Sequence, residues 1–305
     1  ANKNYSKICK QIMEYNPKFF LINNLSVYEK VKEKFLKRKN INIINNLNLR
    51  DKKLKSDVTI SAIPGLAGLK PTIFMTGLSK KILIANKESI ICGWNLIQRE
   101  AKKNKTKIIP IDSEHYSIFQ LLRNHKLKEI EKIFITASGG PFLNFKSKKL
   151  KKVKPKDALK HPKWKMGKKI TIDSASLMNK IFEHIEAQKI FSIPEDKLEI
   201  LIHPESLVHA IIRFKNGLTK FLYHETSMII PLANAIFDSK ININDFYRKR
   251  NLISNKNIKN LTFKKINPRI FPTIKFKKIA NKHQSSPIII NAANEILVDQ
   301  FLSKN

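Results

Sequence analysis

Helical apolar spacing around Ile8 and Ile12 gives way to the run Phe19-Phe20-Leu21-Ile22, and Ser26 with Glu29 then forms a capping-box pattern that opens a second helix. Strands are expected from Val58 to Ile63 and from Lys81 to Ala85, on either side of a Gly65 to Leu78 stretch with helical apolar spacing. This alternation implies a parallel sheet. The next apolar strand, Lys107-Ile108-Ile109-Pro110-Ile111, contains a proline, which suggests an edge or irregular position. Further on, Val208 to Phe214 and Leu218 to His224 flank Asn216-Gly217, a two-residue hairpin signal, so the later part reads as α+β. From about Tyr247 to Gln284 the chain is basic and irregular, and Ser286 with Pro287 starts a final helix at N-cap and N1.

Three acidic residues interrupt this pattern. Strand side chains alternate, so Asp112 and Glu114, where the Lys107–Ile111 strand runs out, can aim at one point. Glu183 follows on a helix expected to open with Asp173-Ser174-Ala175. Three carboxylates suit a hard cation such as Mg2+ or Mn2+ and would leave positions for a chelating substrate. For Asp112 and Glu114 taken alone, plain solvation is the more ordinary reading. On the helix, Met178, Ile181, Phe182 and Ile185 make an apolar stripe, while Ser176, Asn179, Lys180 and Glu183 make a polar one that could simply face solvent. Ser174 at a helix N-terminus and Lys180 within two turns would suit a phosphate. Upstream, Gly139-Gly140 would let backbone approach a ligand. His161-Pro162-Lys163-Trp164-Lys165-Met166-Gly167 reads either as a flap that closes over something or as a local hydrophobic anchor.

Composition adds milder limits. The chain has 305 residues, 42% of them hydrophobic, enough for a substantial core and two domains. A net charge of +35 would ordinarily suggest nucleic acid, but the lysines are spread along the chain and no aromatic-interleaved motif accompanies them. A compositional bias toward Lys, Asn and Ile is preferred, with an anionic substrate and cofactor as beneficiaries. Cys9 and Cys92 lack metal or redox spacing and read as buried thiols of a reducing compartment. No apolar run approaches a membrane span, and no signal peptide is visible. His115, His203 and His209 read as structural histidines.

The segments Ala85-Asn86-Lys87-Glu88-Ser89, Pro110-Ile111-Asp112-Ser113-Glu114-His115, Ala137-Ser138-Gly139-Gly140-Pro141-Phe142, the His161–Gly167 stretch and Asp173-Ser174-Ala175-Ser176-Leu177-Met178-Asn179-Lys180 resemble, in order and spacing, the 1-deoxy-D-xylulose-5-phosphate reductoisomerase family. His203-Pro204-Glu205-Ser206 and Asn291-Ala292-Ala293-Asn294-Glu295 extend the resemblance to nearly the whole chain. It implies conversion of 1-deoxy-D-xylulose 5-phosphate to 2-C-methyl-D-erythritol 4-phosphate in non-mevalonate isoprenoid synthesis, with NADPH and Mn2+ or Mg2+, Co2+ being a further candidate. By the same resemblance the metal ligands are Asp112, Glu114 and Glu183, which are catalytic together with Lys87. Substrate contacts are Lys87, Ser113, Glu114, Ser138, His161, Ser174, Asn179, Lys180 and Glu183, with Trp164 and Met166 on the flap. Cofactor contacts are Asn2, Lys3, Asn4, Asn86, Glu88 and Gly167.

The fold so implied is α/β: a truncated Rossmann-like NADPH-binding domain over 1–110, then an α+β catalytic metal- and substrate-binding domain over 111–246. A connective segment over 247–284 and the start of a C-terminal helical domain over 285–305 complete it. The chain departs from the family in lacking the glycine-rich turn after a first strand, and it has no initiator Met. It is therefore expected to be a fragment, whose own activity is open. A homodimer in a bacterial cytoplasm is expected, or a plastid protein if a lost segment carried a targeting signal, with no nucleic-acid or membrane partner. The competing readings are an inactive fragment, a metal-assisted NADP dehydrogenase without rearrangement, and a basic RNA-binding module.

Overall fold

The computed structural model describes residues 1–46, 55–164, 166–249 and 260–303, which form two units, Ala1–Lys55 and Ser56–Asn305. In the first unit, helix α1 (Tyr5–Tyr15) starts where Asn4 Oδ1 accepts the Lys7 amide at 2.9 Å, and it stops at Asn16 in the left-handed region. Strand β1 (Phe19–Leu21), helix α2 (Leu25–Lys34) and strand β2 (Asn42–Ile44) follow, and the two strands pair in parallel. Ile8, Ile12, Ile22, Val31 and Phe35 make the core of this unit. The cap of α2 is Asn24, whose Oδ1 accepts the Val27 amide at 3.0 Å, and not Ser26, which already lies inside the first turn.

The second unit holds two sheets. Strands β3 (Ser56–Ser61), β4 (Ser79–Ile84) and β5 (Lys107–Pro110) run parallel in that order, connected through helices α3 (Leu69–Thr76) and α4 (Lys87–Asn104). Pro110 closes the edge strand, where a missing N–H removes no ladder bond from a further neighbour. Helix α5 (Ser113–Leu121) leads to β6 (Ile130–Ala137), the single turns α6 (Ser147–Leu150) and α7 (Pro155–Ala158), and helices α8 (Lys168–Ala175) and α9 (Met178–Phe191). Strands β7 (Leu198–Ile202), β8 (Val208–Phe214) and β9 (Thr219–Tyr223) complete a sheet of order β7-β6-β8-β9. The β8–β9 hairpin turns at Asn216-Gly217, with Gly217 at φ 86°.

Helices α10 (Ile229–Ile236), α11 (Ile243–Lys249), α12 (Phe276–Ile279) and α13 (Ser286–Ser303) follow. Residues 250–259, within the expected connective segment, lie outside the described residues, as does Lys165 of the expected flap. Beyond them Lys264 exchanges backbone hydrogen bonds with Ile202 at 2.8 Å. The last helix begins one residue earlier than expected, because Ser285 O already accepts the Ile289 amide at 3.1 Å. Cys9 is buried, but Cys92 is only half-buried. No described helix is long and apolar enough to cross a membrane.

Helix α9 is the pillar of this unit. Ile181, Phe182 and Ile185 pack into a core shared with Leu177, Met178, Ile200 and Ile202. Within the polar stripe Lys180 and Glu183 are buried, 9% and 2% exposed, while Ser176 and Asn179 are half-buried, so solvation is not the purpose of its charged members. The expected single helix from Asp173 is in fact two. Leu177 stands at φ 66° between α8 and α9, a strained backbone for a residue with a Cβ, held by a side chain that is 1% exposed. Ser174 thus sits in the last turn of α8, and the expectation of a helix N-terminus at Ser174 fails.

Candidate active site

The acidic residues converge by a different route from the alternation of a strand. The chain leaves β5 at Pro110 and enters α5 at Ser113, so Asp112 is the N-cap residue and Glu114 lies in the first turn. A carboxylate is favoured there by the helix dipole. Glu183 reaches the same point from the middle of α9, and oxygens of Asp112, Glu114 and Glu183 lie within 4.8 Å of one another. Two ammonium groups sit among them. Lys180 Nζ donates to Glu114 Oε1 at 2.6 Å and to Glu183 Oε2 at 2.5 Å. Lys87, the first residue of α4, donates to Asp112, to Glu183 Oε1 at 3.2 Å and to Glu186 Oε2 at 3.5 Å.

Burial and charge pull these groups in different directions. Burial pulls the Lys87 ammonium down, yet the carboxylates of Asp112, Glu183 and Glu186 hold it well above the ordinary lysine value. Lys180 is raised in the same way by Glu114 and Glu183. Burial pushes Glu114 up, but the Lys180 ammonium and His209 keep it well below the carboxylate range. Glu183 and Glu186 remain raised, burial being the main cause for both, and Glu186 reaches about 7. The cluster therefore holds more negative charge than its two lysines neutralise well.

A hard divalent cation fits this donor set, which is all oxygen and converges from two helices. A second grouping, Asp112, His115 and Glu186, also brings its ligand atoms within 4.8 Å of one another. His115 and Glu186, however, are 0% and 1% exposed and do not line the cleft, whereas Asp112, Glu114 and Glu183 do. Only the first set can share a cation with a ligand.

The cleft has a volume of about 530 Å3. Besides the three carboxylates it is lined by Lys87, Ser113, Ser138, His161, Ser174, Asn179 and Lys180, and by Asn86, Glu88, Trp164, Met166 and Gly167. Asn2, Lys3 and Asn4 belong to the first unit, at the start of α1. Asn86 caps α4 by accepting the Ser89 amide and ties down the loop after β3 by donating Nδ2 to Ile63 O and Gly65 O. Gly140, at φ 59°, serves packing, since a Cβ there would come 2.8 Å from Ser174 O. His161 Nδ1 accepts the Lys163 and Trp164 amides at 3.1 and 2.9 Å, which leaves the proton on Nε2, 3.1 Å from Ser138 Oγ. Burial, then the nearby Lys180 charge, lowers its pKa to about 4, so the ring is a neutral donor at neutral pH.

Sequence reasoning missed several residues of the cleft wall: the Ala62–Gly65 loop, Lys169, Asp173, Ser206, His209, Met228 and Asn291. Lys169 bridges Asp173 at 3.0 Å and Glu88 at 3.4 Å, and Asp173 accepts from Asn294 at 2.7 Å. Ser206, His209 and Asn291 each leave a buried side-chain polar atom without a partner among the described residues, a sign of a ligand surface. A usable signal existed, because Ser206 and Asn291 stand in the motifs His203-Pro204-Glu205-Ser206 and Asn291-Ala292-Ala293-Asn294-Glu295.

Comparison with known proteins follows the same outline. Residues 1–93 match the family model for 1-deoxy-D-xylulose 5-phosphate reductoisomerase, residues 108–191 its C-terminal domain, and residues 225–305 the DXP reductoisomerase C-terminal domain. The 1-deoxy-D-xylulose 5-phosphate reductoisomerase of Pelagibacter ubique is 47% identical over 99% of this chain and 78% of its own length. That of Wolbachia pipientis wMel is 40% identical over 99% and 77%. A crystal structure of DOX-P reductoisomerase in complex with NADPH, fosmidomycin and magnesium superimposes with a TM-score of 0.87 at 30% identity, over 100% of this chain and 77% of that one. The Zymomonas mobilis enzyme in complex with NADPH gives 0.86 at 30% identity, over 100% and 78%.

Proposed function

Because this chain belongs to the 1-deoxy-D-xylulose 5-phosphate reductoisomerase family, we propose that its cleft carries the NADPH- and divalent-metal-dependent rearrangement and reduction of 1-deoxy-D-xylulose 5-phosphate to 2-C-methyl-D-erythritol 4-phosphate. The observation that supports it most is the convergence of Asp112, Glu114 and Glu183 in one cleft with Ser138, His161, Ser174, Asn179 and Lys180. Asp112, Glu114 and Glu183 would hold Mg2+ or Mn2+. When bound, the cation polarises the substrate ketone and acidifies the neighbouring hydroxyl, and NADPH supplies the hydride that reduces the rearranged aldehyde.

The chain's own residues do the rest. Lys180, Ser138, Ser174 and Asn179 bind the phosphate, with one formal charge and three neutral partners. His161, fixed by two backbone amides, donates through Nε2–H and is too weakly basic to serve as a general acid at neutral pH. Lys87 keeps Asp112 and Glu183 oriented between turnovers. Trp164 and Met166 exclude water while the aldehyde exists. The cofactor meets Asn86, Glu88 and Gly167 on the cleft wall. The assembly is a homodimer, which light scattering on the purified protein tests.

The test of function is product analysis. With NADPH, Mg2+ and 1-deoxy-D-xylulose 5-phosphate, the branched 2-C-methyl-D-erythritol 4-phosphate should form as NADPH absorbance falls. An unbranched reduced sugar would show a dehydrogenase without rearrangement and overturn the reading.

A further inference from the structure

The register of β8 and β9 slips between Val208 and Ala210, leaving His209 with no residue opposite it across the ladder. A bulge of this kind re-aims one side chain. Here the imidazole reaches the cleft, with Nδ1 3.7 Å from Glu114 Oε1, close but beyond a hydrogen bond. Just after β9, His224 lies nearly parallel to His209, with ring centroids 4.0 Å apart and planes at 17°. The Trp164 indole meets His209 edge-on, at 6.2 Å and 69°. Three rings thus run in series from the end of β9, through the residue beside Glu114, to the segment expected to close over the site.

The anchoring of His224 is entirely at its back. Its amide donates to Leu207 O at 2.9 Å and its Nδ1 donates to Glu225 O at 2.8 Å. Nε2 is buried and has no partner among the described residues. Burial, then the neighbouring His209, lowers the pKa to about 3, so the ring is neutral. What His224 offers His209 is therefore a flat, fixed face and not a hydrogen bond.

We propose that His224 is a positioning residue that fixes the plane of His209 and, through it, the seat on which Trp164 closes over the substrate. The inference rests on the reductoisomerase reading for its kinetic consequence, but the ring geometry is independent of that reading. His224→Ala removes the backing ring and His224→Phe keeps one. His224→Ala should raise KM for 1-deoxy-D-xylulose 5-phosphate about 3- to 10-fold, the worth of one aromatic pair. The kcat and the KM for NADPH should stay within about 2-fold, because neither depends on that pair. His224→Phe should keep all three near the parent values. A merely structural role would instead lower Tm and move all three constants together.

A second readout needs no turnover. The emission of Trp164, isolated as the difference between each protein and its Trp164→Phe counterpart, should shift to the red in His224→Ala and not in His224→Phe. Parent-like emission in the alanine variant, or an equal shift in both, overturns the proposal. If the parent shows no reaction with the substrate, the functional reading fails alone and the emission still decides. Should the alanine variant not fold, parental emission in His224→Phe supports the proposal and a red shift there overturns it.

Discussion

Lys180 and Glu114 meet at 2.6 Å inside the cleft with side chains 11% and 10% exposed, whereas Lys80 and Asp57 meet at 2.8 Å on the surface with side chains 74% and 84% exposed. The two contacts are nearly the same length and join the same kinds of group. They differ in what surrounds them. At the surface, water already solvates both ions and salt screens them, so the pair adds little. In the cleft, neither ion can be left alone, because an unpaired buried charge is far costlier than the pair is favourable. Buried ion pairs are a poor way to gain stability, and a cluster of four carboxylates and two lysines is better understood as a site than as a support.

The comparison breaks most visibly if one buried cation is removed. Lys180→Met leaves Glu114 and Glu183 short of charge, and the metal-free protein should lose about 3–5 kcal/mol in denaturant unfolding. Saturating Mn2+ should restore part of that loss, since the cation replaces the missing positive charge. Unfolding curves that coincide with those of the parent would mean that the cleft behaves like the surface.

Burial of a neutral base sharpens the same contrast through pH. His184, outside the cleft, is 0% exposed, and burial, then the nearby Lys277 charge, lowers its pKa to about 4. The unfolded chain binds the proton more readily than the folded one. The stability it contributes is therefore present above pH ~6.5 and lost as pH falls toward 4, roughly 3 kcal/mol in all. Stability measured against pH should fall through this window, and His184→Gln should flatten the slope. A protein that gains stability between pH 6.5 and pH 4, values set by the ordinary and lowered histidine pKa, would contradict the assignment.

Substrate binding should respond next. In metal-loaded protein, Lys180→Met should weaken 1-deoxy-D-xylulose 5-phosphate binding by about 1.5–3 kcal/mol, the worth of a charge-assisted hydrogen bond. An unchanged calorimetric affinity would remove Lys180 from the phosphate site. At the small end, Lys80→Ala should leave Tm where it was, and a clear fall would show that exposed pairs matter more in this chain than their solvation suggests.

Much of the fold was legible because its signals are local. Asn216-Gly217 set the β8–β9 turn, and the helical spacing between the expected strands became α3. The site residues were legible as motifs, but their geometry was not. Asp112 and Glu114 were aligned by strand alternation, while the chain turns into a helix at Ser113, a choice made by packing of α5 against β8 and α9. The break at Leu177 carries no Gly or Pro, so the end of α8 at Ala175 was invisible. His209 read as an ordinary strand histidine because a bulge leaves no mark in the sequence.

The central claim is that Asp112, Glu114 and Glu183 form one divalent-cation site, and Mn2+ titration followed by electron paramagnetic resonance tests it without requiring turnover. The parent chain should bind one Mn2+ at this site, and both Asp112→Asn and Glu183→Gln should weaken that binding by about tenfold or more, about 1.4 kcal/mol or above. Parental Mn2+ affinity in both variants would contradict the account.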